Sequence, residues 1–519
     1  MHHAIATAWA QPSTAVVAAR GLLCERSAML TLRLLCFFLV AYASGCSEKV
    51  KQQEKPPSSQ EAKKAPIAPP VAKKAPPVEE LPSLPQDKGS HKGRLLASAQ
   101  FGGPGMEAVR ALASAPSQGV FAVGYSKPAA TESANDSEIL LARISSSGKV
   151  LWSREVGGPG PDVGLAADSD AKGNLFIAGS FADELSIGAK STASEGADDI
   201  FVAKFSPGGK MQWTARFGGR DVDAAEAVAV GPEGRVYVTG AFRAKAKFGS
   251  KEITSKGDAD IFLLVLEPDG TVHSVNQYGS LGVDIGRAIH IGSTGDITLA
   301  TEFSSTLEVS GKTLKSKGQR DTLILRLAKN GAIRWLSHFG NSLDDWTFDM
   351  DVDPSGSVVF VGGLESELEI GKTKLTSAGR ADAYVAKLSA DGTPLWAHRF
   401  GGESDDFATS AAIDKFGNTY VSGGFFSKAK INSTTLTSEG DRDVFASKWS
   451  PTGRLLWVKQ FGGIQTDSAR GIALTNNGGA FGGAFHLETK LEGKTLFTAK
   501  SKPDALIPKA DAFVLFLSR

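Results

Sequence analysis

The chain has 519 residues, a formal net charge of +1 and 22% charged residues, a balance that excludes a general electrostatic affinity for nucleic acid or acidic membranes. With 58 glycines and 41% hydrophobic residues, it is a turn-rich globular composition, long enough for several domains or one repeat array. Its three cysteines, Cys24, Cys36 and Cys46, all lie in the first tenth of the chain, which excludes disulfides and thiolate metal sites from the rest.

Residues 1–28 have no signal-like organisation, and the expected true start is Met29. "MLTLRLLCFFLVAYASGC" (29–46) follows, with Arg33 ahead of an apolar run from Leu34 to Ala43. That run is too short to span a bilayer and fits a signal-peptide core, so residues 1–45 are expected to be a signal peptide. The ending "ASGC" resembles a bacterial lipobox, with Ala43 where leucine is usual. The resemblance implies cleavage before Cys46, a diacyl anchor on its sulfur and attachment to a membrane through that lipid. Ser47, in place of aspartate, implies sorting to the outer membrane, facing the periplasm or the cell surface. Residues 46–93 are dominated by proline, alanine and lysine. Such a segment cannot bury a core, leans to polyproline conformation and forms a tether reaching on the order of 100 Å.

Everything after the tether is periodic. Phe-Gly-Gly or a near relative begins at Phe101, Val156, Phe217, Tyr278, Phe339, Phe400 and Phe461; the first interval is 55 residues and the other five are 61. Seven periods of 61 would fill 93–519. Trp152 and Trp213 keep the same beat, as do Trp335, Trp396 and Trp457. One acid follows each aromatic by six residues: Glu107, Asp162, Asp223, Asp284, Asp345, Asp406 and Asp467. A second acid opens an apolar run: Glu138, Asp199, Asp260, Asp321, Asp382, Asp443 and, after seven inserted residues, Asp511.

Within a period, short alternating runs such as "TYVSGGF", "DVFASKWS" and "LLWVKQF" are separated by glycine turns, which predicts a four-stranded antiparallel meander. An extra piece between the second and third strands, centred on Gly188, Gly249, Gly371, Asn432 or Gly493, reads as a small added hairpin. Seven such sheets predict an all-β, seven-bladed propeller over 94–519. The array opens on a lone fourth-type strand, "RLLASAQFGG", and closes on a third-type strand, "DAFVLFLSR". Pairing the two would complete the last blade, shut the ring and remove its open edges.

"DAYVAKLSADGTPLWAHRFGGESDD" (382–406) and its sisters resemble the SBBP family, the seven-bladed β-propeller repeats of bacterial surface and secreted proteins, across 94–519. The resemblance implies an extracytoplasmic location and a binding or structural role. It carries no general catalytic activity.

In that architecture the first strand of each blade lines the channel and the fourth is outermost. The Phe-Gly-Gly phrase then makes the crossing between blades, with the tryptophans filling the space between sheets and the first acids capping the turn. Both acid columns and the hairpins are expected on one face, where the acids offer a possible ligand or cation ring. Asp349, Asp351 and Asp353 resemble the start of a calcium loop, but its final acidic ligand is missing and no other blade repeats it. Calcium is the one cation considered, and no cofactor or catalytic residue is expected. No HExxH, GxSxG, phosphate-binding glycine loop or CxxCH occurs, and the array's histidines have no ligand spacing. The expected protein is a monomeric, lipid-anchored envelope module that binds a protein or glycan. An assembly factor for outer-membrane proteins and an enzyme sited in the channel are the alternatives.

Overall fold

Each period folds as the four strands its alternation predicts. In the third blade, Ala224–Val230, Val236–Phe242, Asp260–Leu266 and Val272–Tyr278 pair antiparallel in that order. The two middle strands are buried on both faces, so they read as near-continuous apolar runs. The outermost strand is the least buried, with only Val275 and Tyr278 fully enclosed. Glycines such as Gly234 and Gly270, at φ 76° and 88°, supply the left-handed conformation of the connecting turns. The computed structural model describes residues 92–519 apart from 104, 117–118, 128–135 and 500–509, together with Leu84, Pro85 and Asp87.

Seven four-stranded sheets result, and their innermost strands touch in sequence around a closed ring. The last sheet joins Ser468–Thr475, Gly478–His486 and Ala510–Ser518 to the first strand of the array, Leu95–Phe101. Their register runs from Leu95 opposite Leu517 to Phe101 opposite Ala512. Two further backbone bonds, Lys92 N to Arg519 O at 3.2 Å and Ser518 N to Arg94 O at 2.8 Å, extend the seam. The seven-bladed propeller closed by its own N-terminal strand is therefore the observed fold.

The core lies between blades. Ala178, Ile200 and Val202 of the second blade, for example, pack with Val236, Val238 and Phe262 of the third.

The small hairpins do more than decorate the ring. Lys245–Phe248 pairs with Lys251–Thr254, and the first of these also pairs backward with the preceding blade, Gly218 opposite Lys247 and Gly219 opposite Ala246. The same backward pairing joins Gly401 to Lys430 and Phe461 to Leu491. One hairpin face is buried, as at Phe248, Leu307, Val309, Leu368 and Ile370. The hairpins are clamps between neighbouring blades, so only their outer face remains for display. In the sixth blade the clamp is continuous with its parent strands, Thr419–Ile431 and Thr434–Trp449.

This clamp explains the second glycine of the recurring phrase. A Cβ on Gly402 would lie 1.8 Å from the Lys428 carbonyl oxygen, and one on Gly219 equally close to that of Lys245. Gly402→Ala is expected to lower the urea unfolding free energy by about 3 kcal/mol or more. At Gly493, where a Cβ would meet nothing within 4 Å, alanine should cost only the positive-φ penalty of about 1 kcal/mol.

Candidate functional site

At every junction the two acid columns come together. The acid that opens each inner strand accepts a backbone N–H from four residues earlier: Glu107 from Gly103, Asp162 from Gly158, Asp223 from Gly219, Asp284 from Ser280, Asp345 from Asn341, Asp406 from Gly402 and Asp467 from Gly463, at 2.7–3.0 Å. Several also reach the start of the hairpin, as Asp223 does to Arg243 N at 2.9 Å and Asp406 to Phe426 N at 3.0 Å. The second-column acid of the previous blade faces them. A Cβ on Gly401 would lie 2.6 Å from Asp382 Oδ1 and 2.8 Å from Asp406 Oδ2; on Gly157 it would meet Glu138 and Asp162 at 2.3 and 2.4 Å. The first glycine is thus the spacer between two buried carboxyl groups. Burial raises the first-column acids to about 7, and Asp162 to about 8. Asp162, Asp199, Asp382 and Asp443 each keep one buried oxygen with no hydrogen-bond partner.

The second column is held from the outer strand. In five blades a residue 17 positions after the acid donates to it: Arg216 to Asp199 at 2.5 Å, Gln277 to Asp260 at 2.6 Å, His338 to Asp321 at 2.5 Å, Gln460 to Asp443 at 2.8 Å, and likewise Arg399 to Asp382; in the last blade Gln100, on the N-terminal strand that completes it, donates to Asp511. The first blade breaks this rule. Glu155 stands at that place, and Glu138 is raised first by burial and then by Glu155 and Asp136. Glu155→Gln supplies the missing donor and should raise the melting temperature slightly at neutral pH, an effect of about 1 kcal/mol. No gain, or a loss, would show that the junction does not need a donor.

The tryptophans tie the opposite side of the ring. The indole N–H of Trp152, Trp213, Trp335 and Trp396 donates to the carbonyl of Pro207, Pro268, Ala390 and Pro451 in the next blade, at 2.8–3.2 Å. Trp457 lies against Gly93, where the N-terminal strand enters. Nearby, Asp87 reaches across to the buried Lys448 Nζ at 3.1 Å and to Asn418 Nδ2 at 2.8 Å.

Asp349, Asp351 and Asp353 do not form a calcium loop. The first two lie on an inner strand, Asp345–Val352, and accept backbone N–H bonds from Ala411 and Ile413 of the next blade, both at 2.9 Å. Asp353 instead closes a turn on Ser357 N at 3.0 Å. Among the described residues no group of three or more His, Cys, Asp or Glu is arranged to hold a metal ion. Cys46 lies outside the described residues.

A further column was missed from the sequence. The register of every inner strand is interrupted by a bulge three residues after the first acid, at Arg110, Leu165, Glu226, Arg287, Phe348, Thr409 and Arg470. All seven are half-buried. Glu226, in the third blade, interacts with Arg287 of the fourth but also with Arg110 and Arg470 of the first and seventh, which it can reach only across the channel. These residues line the central channel. The readable signal was a column, three residues after the constant acid, that changes chemistry from one period to the next along the chain.

No known family model matches the chain. It is 20% identical over 458 residues to a WD repeat-containing protein, L264, of Acanthamoeba polyphaga mimivirus, covering 69% of this chain and 33% of that one. It is 25% identical over 336 residues to the regulatory protein FlaEY of Caulobacter vibrioides, covering 59% of this chain and 34% of FlaEY. The chain therefore spans about a third of the length of these relatives. Among solved structures, Sqt1 of Chaetomium thermophilum aligns at TM-score 0.40 and 10% identity, covering 76% of this chain and 96% of Sqt1. The WD40 propeller of Doa1 aligns at TM-score 0.28 and 11% identity, covering 64% and 93%.

Proposed function

We propose that the chain is a non-catalytic binding or scaffold propeller, held at a bacterial envelope by a lipid on Cys46 and presented on the tether that follows. The observation that carries the binding role is the division of labour among repeat columns. Glycines, paired acids and tryptophans recur because they join blades in the same way each time, whereas the channel column holds seven positions of mixed chemistry that share no common joint. Fixed framework with variable lining is how a repeat fold displays a specific surface. The anchoring half of the reading is carried by "ASGC" and the proline-rich segment after it. The relation to a WD-repeat protein and to a protein described as regulatory supports a non-enzymatic role.

Growth with labelled palmitate tests the anchor. The full chain is expected to take up label and fractionate with membranes, and Cys46→Ser to lose both. Label retained by the variant overturns the anchor. Chemical crosslinking in intact cells should join the propeller to an envelope protein or glycan. A turnover that survives repurification of the protein would overturn the non-catalytic reading.

A further inference from the structure

We propose that an arc of the outer rim, carrying Leu395, Leu456, Leu96 and Leu151 on four consecutive blades, rests on a phospholipid bilayer surface. The inference goes beyond the acyl anchor on Cys46: it gives the propeller a membrane contact made by its own side chains, and it fixes the tilt of the ring.

The register of every outermost strand slips at its second residue, which is left out of the ladder. These residues are Leu151, Gln212, His273, Arg334, Leu395, Leu456 and, in the N-terminal strand, Leu96. A bulge releases its side chain from the pairing pattern, and at the edge of a blade that side chain meets whatever surrounds the ring. In blades two to four it is polar and held. Gln212 Nε2 donates to Asn174 Oδ1 at 3.3 Å, His273 Nδ1 lies 2.7 Å from Glu267 Oε1, and Arg334 Nη2 donates to Asp296 Oδ1 at 2.9 Å. In blades five, six, seven and one it is leucine. Leu395, Leu96 and Leu151 are 53%, 50% and 49% exposed, and Leu456 is half-buried. The bulge does not require leucine, since three blades form it with polar residues. The column therefore divides the rim into one apolar arc and one polar arc.

The residues leading into these strands carry a second feature, which the overall charge of +1 conceals. Lys149, Arg454 and Arg94 each stand two residues before the leucine, with Lys92 close by, and all four are exposed. Among the described residues of these turns the one acid is Asp391, and it is turned back on its own turn, accepting the Thr393 N–H at 3.2 Å and the Ser389 hydroxyl. Leucine beside a basic residue, repeated blade by blade, suits a bilayer surface. The apolar group enters the boundary between headgroups and acyl chains, and the cation pairs with phosphate. A protein partner would instead cover a continuous apolar centre depleted of charge. Here the leucines come singly, one to a blade, and a fluid surface accepts that spacing. The chain also leads to this arc, because its N-terminal strand joins the ring there and Cys46 lies upstream on the same segment. All four leucines stand at the turn end of their strands, the end away from the acid pairs and hairpins. A ring resting on this arc is tilted, with its hairpin face turned outward.

The full chain on vesicles of phosphatidylcholine and phosphatidylglycerol tests this. A thiol-reactive, environment-sensitive fluorophore is placed singly through Leu151→Cys, Leu395→Cys, Gln212→Cys and Arg334→Cys, with the parent treated in the same way as the blank. Brominated phosphatidylcholine should quench the fluorophore at 151 and 395 about twofold or more strongly than at 212 and 334. Leu151→Glu combined with Leu395→Glu should abolish the quenching of a fluorophore carried by Leu96→Cys. Because these side chains are half exposed, the variants should melt as the parent does, which separates loss of the contact from loss of the fold. Equal quenching at all four positions, or none at 151 and 395, overturns the proposal. So does a fluorophore at 151 or 395 that is shielded from iodide in intact envelopes yet not reached by brominated lipid, since a protein would then cover the arc.

Discussion

The melting temperature of the propeller is expected to fall as the pH rises from 5 to 8. The cause is the carboxyl pair at each junction. Glu107, Asp162, Asp223, Asp284, Asp345, Asp406 and Asp467 are at most 1% exposed and are raised by burial to about 7, or about 8 for Asp162. In the unfolded chain they titrate near 4. Between those values the folded state holds protons that the unfolded state has released, so stability falls with rising pH across this window and levels off above it. One pKa unit per junction is about 1.4 kcal/mol, and seven junctions make about 10 kcal/mol. For an array of this length that is a shift of about 10 °C. Most second-column acids are raised by burial as well, so below pH 4 both states are protonated and the gain levels off. Asp382→Asn is the diagnostic variant. Its Oδ2 accepts from Ala378 N and Arg399, while its Oδ1 faces Asp406 with no partner. An amide there can donate to Asp406, so the variant should equal the parent at pH 5 and exceed it at pH 8. Stability that is flat or rising from pH 5 to 8 would refute the protonated-pair account.

Removing the first strand should also destabilise the ring strongly. Without residues 1–103, the strand Ala510–Ser518 becomes an unpaired edge carrying Phe513, Val514, Leu515, Phe516 and Leu517, all at most 2% exposed in the closed ring. The burial of Phe101 and Ala99 and a full ladder of backbone bonds go with it, a loss on the order of 5 kcal/mol or more. A long apolar edge is also a template for another chain. The truncated protein is expected to aggregate or to form concentration-dependent oligomers in sedimentation. A synthetic peptide spanning 92–103 should restore a monomer. Truncation before Leu84 keeps both the strand and the Asp87–Lys448 contact and should behave as the parent does. A stable monomer lacking residues 1–103, with an unshifted melting temperature, would mean that the ring does not depend on its latch.

Much of this was legible in the chain because repetition averages out local ambiguity. A single "TYVSGGF" is a weak strand signal, but the same pattern in phase across seven periods specifies four strands, their turns and the number of blades. The complementary ends specified closure for the same reason, since an orphan outer strand at one end and a missing one at the other have one mutual solution. Both acid columns and the tryptophans were visible as columns, but what they touch was not. Asp382 and Asp406 are 24 residues apart and belong to different blades, and only the angle at which blades stack brings them to the two sides of Gly401. The inner strands that carry Arg110 and Arg470, 360 positions apart, touch only because the ring closes.

The amino-acid sequence by itself determined the meander, its sevenfold repetition and the pairing of its ends, because strand alternation and glycine turns are local and the period is constant. Tertiary structure alone decided that the hairpins clamp backward, that carboxyl groups are buried in pairs and that the bulged residues line one channel. A bulge shifts the two-residue alternation by one step, so the side chain it releases is invisible to any periodic reading. Contacts between blades depend on a stacking geometry that no single strand encodes.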